Sequence, residues 1–398
     1  MQGNRIVFIS TMEDYSWGGS EELWSRAAIY LADQGVDVHA SVLAHTPLHQ
    51  KVLNLSRRGI DVRFRPKEHS FLERAWRKAT ATSRQVIVAE TERLIAAVSP
   101  HLVVYSDGGP YPTANLMDVC LTRGVPFVTI GQANWEYMWP ADEDAERLRV
   151  AMSKALRCYF VSKANMRLAE KQLGGELANG EVVWNPFNVD YNAAPLWPTL
   201  GSDNELQLAC VARLEPVAKG HDLLLEALAT PLWATRNWRL NLYGEGPVRN
   251  GLERLATRLG LGSHRVVFAG HRAVEDIWAS NHVLVMASRY EGLPLAMVEA
   301  MLCGRPVVAT DVAGHSEIIQ DEVTGFLADA PTASNVGKAL ERMWVNRSRL
   351  EEIGKAGATR MRSLVPPDPA KVFTEKIKCL LSEQRSRIES LHVRRQPL

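Results

Sequence analysis

Short apolar runs alternate with segments of helical periodicity from one end of this sequence to the other. That alternation constrains the fold more than any other feature. Residues 5–10, RIVFIS, read as a buried strand, and a polar loop, TMEDYSWGGSE, follows. Residues 22–31 then place Leu23, Ala27, Ile29 and Leu31 near one helical face, Gly35 breaks the pattern, and VDVHASVLA resumes as a strand. This is a βαβ opening. LVVYS (102–106) and PFVTI (126–130) flank a helix at 112–123, and short strands are expected at 155–161 and 181–184. In the second half, strands are expected at 206–212, 238–244, 266–270, 282–287 and 305–310. Helices are expected at 221–229, up to 259, at 294–303, at 332–345 and at 369–383, with a fraying basic tail from 384. Strands that are apolar throughout, separated by helices, belong to parallel sheets covered on both faces.

The expected fold class is therefore α/β, with two Rossmann-like domains whose ligands sit at the carboxyl ends of strands. Facing each other, two such sheets would enclose a deep cleft. The turn Asn185-Pro-Phe-Asn-Val-Asp190 and the irregular stretch through Pro195, Pro198 and Gly201 mark the boundary. The domains read as 1–188, 189–366 and a last segment, 367–398. A length of 398 residues agrees with two substantial domains at roughly 150 residues each.

Composition narrows the partners. With 46 Lys and Arg against 45 Asp and Glu, the net charge of +1 lacks the excess that phosphate-driven nucleic-acid binding needs. Five dispersed cysteines form no CxxC and read as thiols of a reducing compartment. The opening MQGNRIVFIST has no signal-peptide apolar region, and no run of 18 apolar residues occurs, so a cytoplasmic location is expected. Asn346-Arg347-Ser348 fits a glycosylation sequon only formally.

The most informative stretch is Glu291-Gly-Leu-Pro-Leu-Ala-Met-Val-Glu299. Its first carboxylate precedes an expected helix and its second lies within it, so both can face one cleft at different depths. Pro294 suits a first helical turn, where unpaired N–H groups can donate to a phosphate. Carboxylates only accept hydrogen bonds and so pair well with sugar hydroxyls. Spacing alone reads equally as a solvated Glu291 and a packing or capping Glu299.

This stretch resembles the E-x7-E motif of retaining glycosyltransferase family 4, whose members have the GT-B fold. Ala212-Arg213-Leu-Glu-Pro-Val-Ala-Lys219-Gly220 resembles that family's diphosphate-binding segment, and Tyr243-Gly-Glu-Gly246 its next glycine turn. Asp311-Val-Ala-Gly-His-Ser-Glu317, followed by Thr324-Gly-Phe-Leu327, resembles its G-G-x-x-E loop. Trp17-Gly18-Gly19-Ser20-Glu21 resembles its glycine loop after the first strand. The matches keep the family's order across most of the chain.

The resemblance implies a catalytic set of Arg213, Lys219 and Glu291. Arg213 and Lys219 would stabilise the leaving nucleotide diphosphate. Gly18, Gly19, Gly244, Gly246, Gly270, Gly292, Leu293, Pro294, Leu295 and Glu299 would line the donor site, with Glu299 on the ribose and Glu291 on the transferred sugar or nearby phosphate. The last segment would cross back to the first domain. No cofactor is implied; the donor substrate would be a UDP- or GDP-sugar. One departure concerns the place after strand 126–130 where relatives carry a histidine. Here Gln132 stands there; an amide can donate to and accept from sugar hydroxyls but cannot act as a titrating base, and Asn134 and Trp135 are further candidates to contact the acceptor or sugar. His315 reads equally as a sugar contact or a loop-shaping residue.

No Asp-x-Asp pair follows directly on a strand, so a metal-independent route is expected. There is no G-x-S-x-G elbow, and residues 5–25 lack G-x-G-x-x-G. Trp135, Tyr137 and Trp139, followed by Asp142, Glu143 and Asp144, read either as an acceptor platform or as packing beneath a loop. Residues 51–84 hold ten Lys or Arg against three acidic residues, with Phe71, Leu72 and Trp76 among them. That segment reads as a solvated helix packed on the sheet or as a peripheral contact with anionic lipid. The expected function is transfer of a hexose, with retention, to a hydroxyl of a glycan, a lipid-linked glycan or a small molecule. The alternatives are another GT-B sugar enzyme, such as a phosphorylase or nucleotide-sugar epimerase, and a non-catalytic sugar- or lipid-binding protein.

Overall fold

The computed structural model describes residues 3–13, 15–65, 83–199 and 204–393. The chain divides into two compact units: residues 1–186 with 368–398, and residues 187–367.

The first unit contains a seven-stranded, wholly parallel sheet in the order β3-β2-β1-β4-β5-β6-β7. Its strands are β1 (Arg5–Ser10), β2 (Asp37–Leu43), β3 (Asp61–Arg65), β4 (Leu102–Asp107), β5 (Phe127–Gly131), β6 (Arg157–Phe160) and β7 (Gly180–Val182). Side chains alternate across the sheet, so Ile6 and Phe8 enter one core with Leu23, Trp24 and Phe373, while Val7 and Ile9 enter another with Tyr105 and Phe127. The helix Pro369–Val393 packs on the helix Gly19–Asp33 and supplies Phe373, Ile377, Leu380 and Leu381 to the first of these cores. It runs well past the expected end at 383.

The second unit contains a six-stranded parallel sheet in the order β10-β9-β8-β11-β12-β13. Its strands are β8 (Leu206–Val211), β9 (Trp238–Tyr243), β10 (Val266–Gly270), β11 (Val283–Met286), β12 (Val307–Thr310) and β13 (Gly325–Ala328). In both sheets the strand order reverses at one junction, β1/β4 in the first and β8/β11 in the second. Crevices at the carboxyl ends of such junctions are where ligands bind on open parallel sheets.

Several elements lie outside the expected pattern. Strand β3 (DVRFR) and the helix Asp142–Lys154 are too charged to register as apolar runs, and β13 is only four residues long. Asp142, Glu143 and Asp144 occupy the first turn of that helix, where negative charge favours the macrodipole. Pro294 caps the helix Leu295–Leu302 from outside its first turn. Half of the 51–84 segment, including Phe71, Leu72 and Trp76, lies outside the described residues, as do Gly201, Arg394 and Arg395.

Candidate active site

In the second unit, the segments that follow β8, β11 and β12 meet at the strand-order reversal. After β8 come Arg213 and the single helical turn Pro216–Lys219, closed by Gly220 in the left-handed conformation at φ 61°. A Cβ on Gly220 would lie 1.9 Å from the carbonyl oxygen of Ala287, so only glycine lets this turn press against the end of β11. Arg289 locks the same contact: its backbone N–H donates to Ala218 O (2.8 Å), and its guanidinium donates to Pro216 O (2.7 Å) and to both carboxylate oxygens of Asp222 (2.8 and 2.6 Å).

Lys219 is thereby brought to Glu291. Its Nζ lies 2.7 and 2.8 Å from the two carboxylate oxygens, and Ser288 Oγ donates to the first of them at 2.8 Å. The contacts continue inward: Thr310 Oγ1 donates to Ser288 O (2.6 Å), and His315 Nδ1 lies 2.7 Å from Thr310 O. A carbonyl only accepts, so His315 carries its proton on Nδ1 and leaves Nε2 as an acceptor. That Nε2 is buried with no hydrogen-bond partner among the described residues. Burial holds the His315 pKa below its ordinary value, with the charges of Glu291 and Lys219 acting on it.

Glu299, in the buried helix Leu295–Leu302, accepts at Oε1 from the backbone N–H (3.0 Å) and Nδ2 (2.9 Å) of Asn188. The structure thus brings Lys219, Glu291 and His315 into one network. Arg213 is half-exposed, with Nη2 3.4 Å from a Glu215 carboxylate oxygen. Gly244 (φ 130°) and Gly246 are required by the chain itself, since their Cβ atoms would lie 2.2 and 2.4 Å from the carbonyl oxygens of Ala212 and Leu214. They let the turn after β9 back the Arg213 segment. A Cβ on Gly270 would meet the Glu245 carboxylate at 2.8 Å. Gly292, Leu293 and Pro294 are buried between Glu291 and the helix start, and Leu295 is half-buried.

In the first unit, Gly18 caps the helix Gly19–Asp33 at φ −155°, and a Cβ there would make only ordinary contacts, the nearest at 3.6 Å. Among the described residues nothing demands glycine at 18. Beside it, Glu21 is buried and accepts from Ser10 Oγ and Trp24 Nε1, both at 3.0 Å. Burial pushes the Glu21 carboxyl up to about 7, against the pull of those bonds and of the Arg65 charge. Asp107, at the end of β4, accepts from Thr11 Oγ1 and from Gly109 N–H, and burial raises it to about 6.

Gln132 directly follows β5 and accepts at Oε1 from Asn185 Nδ2 at 2.7 Å. Asn134 is engaged inside the chain: its Nδ2 donates to Gln172 Oε1 (2.9 Å) and Asn165 O (3.3 Å), and its Oδ1 accepts from Trp135 N–H (2.8 Å). Its side chain secures the loop. Trp135 is half-buried, whereas Tyr137 is 91% and Trp139 56% exposed, which rules out packing beneath the loop for these two. Sequence reasoning missed Asn185, Asn188, Ser288 and Arg289. The two asparagines sit in the turn read only as a boundary, and Ser288 and Arg289 immediately precede the carboxylate motif. Among the described residues no three His, Cys, Asp or Glu side chains gather as a metal site, and no helix is long and apolar enough to cross a membrane.

Residues 205–346 match the family model described as Glycosyl transferases group 1. Over 170 residues the chain is 32% identical to a D-inositol 3-phosphate glycosyltransferase of Gordonia bronchialis, covering 39% of this chain and 37% of that protein. Over 160 residues it is 31% identical to a GDP-mannose-dependent α-(1-6)-phosphatidylinositol monomannoside mannosyltransferase of Mycobacterium tuberculosis, covering 38% and 41%. The chain spans about two fifths of the length of the curated relatives it matches. The structure of Anabaena HepE in complex with UDP and glucose superposes with a TM-score of 0.68 at 21% identity, covering 96% of this chain and 100% of that one. A glycosyltransferase structure from Rickettsia africae gives 0.71 at 16% identity, covering 96% and 98%. The fold is thus two Rossmann-like α/β domains of the GT-B class, and residues 205–346 match a group 1 glycosyltransferase domain.

Proposed function

We propose that this chain is a retaining glycosyltransferase that moves a hexose from a UDP- or GDP-sugar to a hydroxyl of a glycan, a lipid-linked glycan or a small molecule. The observation that carries the reading is the bonded pair of Lys219 and Glu291, at the strand-order reversal and eight positions before the buried Glu299. An ammonium has three donors, and Glu291 engages two, which leaves one for a phosphate oxygen. Arg213 supplies a second cation from the same segment. The N–H groups opening the helix Leu295–Leu302 suit an anion beside them. Glu299 serves ribose hydroxyls, and Glu291 orients the sugar while keeping Lys219 in place.

In this reading the glycosidic bond to the β-phosphate breaks as the acceptor oxygen bonds to the anomeric carbon on the same face. The departing phosphate oxygen takes the acceptor proton, and the positive groups stabilise the charge that develops on it. The cations do this work without a divalent metal. Gly18 and Gly19 leave room for phosphate or sugar against the backbone, and exposed Tyr137 and Trp139 offer ring faces to an acceptor. Five unbridged cysteines support a cytoplasmic setting, and the basic 51–84 segment supports peripheral contact with anionic lipid.

A mass-spectrometric screen of UDP-, GDP- and ADP-sugars in EDTA, comparing wild type with Lys219→Ala, tests the reading. Selective binding that the substitution weakens, with an NMR-detected product of unchanged anomeric configuration, is expected. Absence of binding to every nucleotide sugar and nucleoside diphosphate would overturn it.

A further inference from the structure

The second unit contains a cavity of about 410 Å³ that is lined by none of the site residues described above. Sequence spacing builds its first wall. Glu351, Lys355, Ala358 and Arg362 recur every three or four residues and so share one face of the helix Leu350–Leu364. The turn after the helix Leu295–Leu302 builds the second. A Cβ on Gly354 would lie 2.0 Å from Gly304 O, so only glycine lets the two walls meet this closely. The chain passing through Trp197 supplies the third. Glu291 precedes the start of the helix Leu295–Leu302 and the cavity adjoins its end, so the rise of that helix, about 12 Å, lies between them.

Two guanidinium groups line this space. Arg305, 2% exposed, donates to the carbonyls of Trp278 (2.9 Å), Cys303 (3.2 Å) and Leu196 (2.7 Å), and lies 5.2 Å from the centre of the Trp197 ring. Arg362, half-buried, donates to the carbonyls of Tyr191 (3.0 Å), Ala193 (2.8 Å) and Leu302 (2.8 Å). These bonds satisfy carbonyls at the helix end and in the chain crossing it, which accounts for arginine at both positions. They leave the charges uncompensated. Among the described residues neither guanidinium has a carboxylate within ion-pair reach, and Arg362 Nη1 keeps two N–H groups without an acceptor. Glu351, the single carboxylate in the lining, is bonded instead to Lys355 at 2.7 Å, and both side chains are exposed. Cations withdrawn from water ordinarily have an anionic partner.

We propose that this cavity binds a small organic anion, a carboxylate or phosphate on an apolar body, through Arg362 and the cations beside it. Charge selects the head group, because Arg305, Arg362 and Lys355 stand against Glu351 alone. The walls select the body, because Trp197, Leu302 and Ala358 offer carbon surface that an inorganic ion would leave uncovered. The volume lies in the range of small-molecule pockets, about 300–1,000 Å³. The site stands independently of the glycosyl-transfer reading. Its occupant would brace the first and last segments of the second unit, which begins at Phe187 and ends at Pro367.

The test titrates the full chain calorimetrically with four probes: phenyl phosphate, benzyl alcohol, benzylammonium and inorganic phosphate. Phenyl phosphate should bind saturably and raise the melting temperature. The other three, each lacking the head, its sign or the body, should bind roughly tenfold more weakly or worse. Ala358→Phe fills the cavity and should abolish binding of phenyl phosphate. Lys355→Glu reverses a charge on an exposed side chain, so it should fold and weaken phenyl phosphate roughly three- to tenfold. It carries the test alone should Ala358→Phe not fold. Lys219→Ala should leave the affinity unchanged, which separates this cavity from a phosphate bound beside Lys219. Benzyl alcohol binding as tightly as phenyl phosphate would overturn the choice of an anion. Absence of saturable binding, or an affinity that Lys355→Glu leaves unchanged, would overturn the site.

Discussion

Lys219 and Glu291, 72 residues apart in sequence, meet with Nζ 2.7 Å from one carboxylate oxygen and 2.8 Å from the other. The contact exists because β8 and β11 are neighbours in the sheet and both carboxyl ends open at the same junction. Removing one partner strands the other. Lys219→Ala should lower transfer by about a hundredfold and stability by about 3 kcal/mol, since it takes the bonded cation away from a buried carboxylate. Lys219→Met combined with Glu291→Leu should recover most of the stability and none of the activity. Urea unfolding beside a transfer assay separates the two effects.

Asn188 holds Glu299 through both its backbone and its side chain. Asn188→Ala removes the side-chain bond and keeps the backbone one, so the carboxylate loosens without being lost. The nucleotide-sugar KM should rise roughly three- to tenfold, about the net worth of one typical hydrogen bond, with kcat changed less. A steady-state titration of donor at saturating acceptor decides it; an equal fall in kcat would place Glu299 in the bond-breaking step instead.

Acid should destabilise the protein through His221. Burial, with the adjacent Lys219 charge, holds its imidazole down to about 4 from the ordinary 6.5. The unfolded chain therefore takes up this proton first, and stability is lost as pH falls from 6.5 towards 4. At pH 5 the loss from this group is about 2 kcal/mol. His221→Leu should shift the balance of melting temperatures between pH 7 and pH 5 in favour of pH 5. His315, also held low by burial, acts in the same direction as His221, whereas the raised carboxyls of Glu21 and Asp107 act against both.

Gly220 is the hinge on which Lys219 depends. Alanine there would combine a left-handed backbone with a 1.9 Å collision against Ala287 O. The cost should be about 3 kcal/mol or more, read as an earlier urea midpoint, with Gly220→Asn equally unable to clear the collision.

The alternation of apolar strands with helices was legible because periodicity records burial along a single element. RIVFIS, LVVYS and PFVTI became β1, β4 and β5 within a residue or two at either end. The ordered motifs around Arg213, Lys219, Glu291 and Glu299 were legible too, since each lies within a few residues of a strand or helix end. The partners of those residues were not. Glu299 meets Asn188 across 111 residues, and Gln132 meets Asn185 across 53, because strand order and loop packing bring them together. The same packing engages Asn134 inside its loop and leaves Tyr137 and Trp139 exposed, although all three share one short stretch of sequence. Local spacing determines which residues lie near a strand end. Which of them have a free donor or acceptor depends on the neighbours that only the folded sheet supplies.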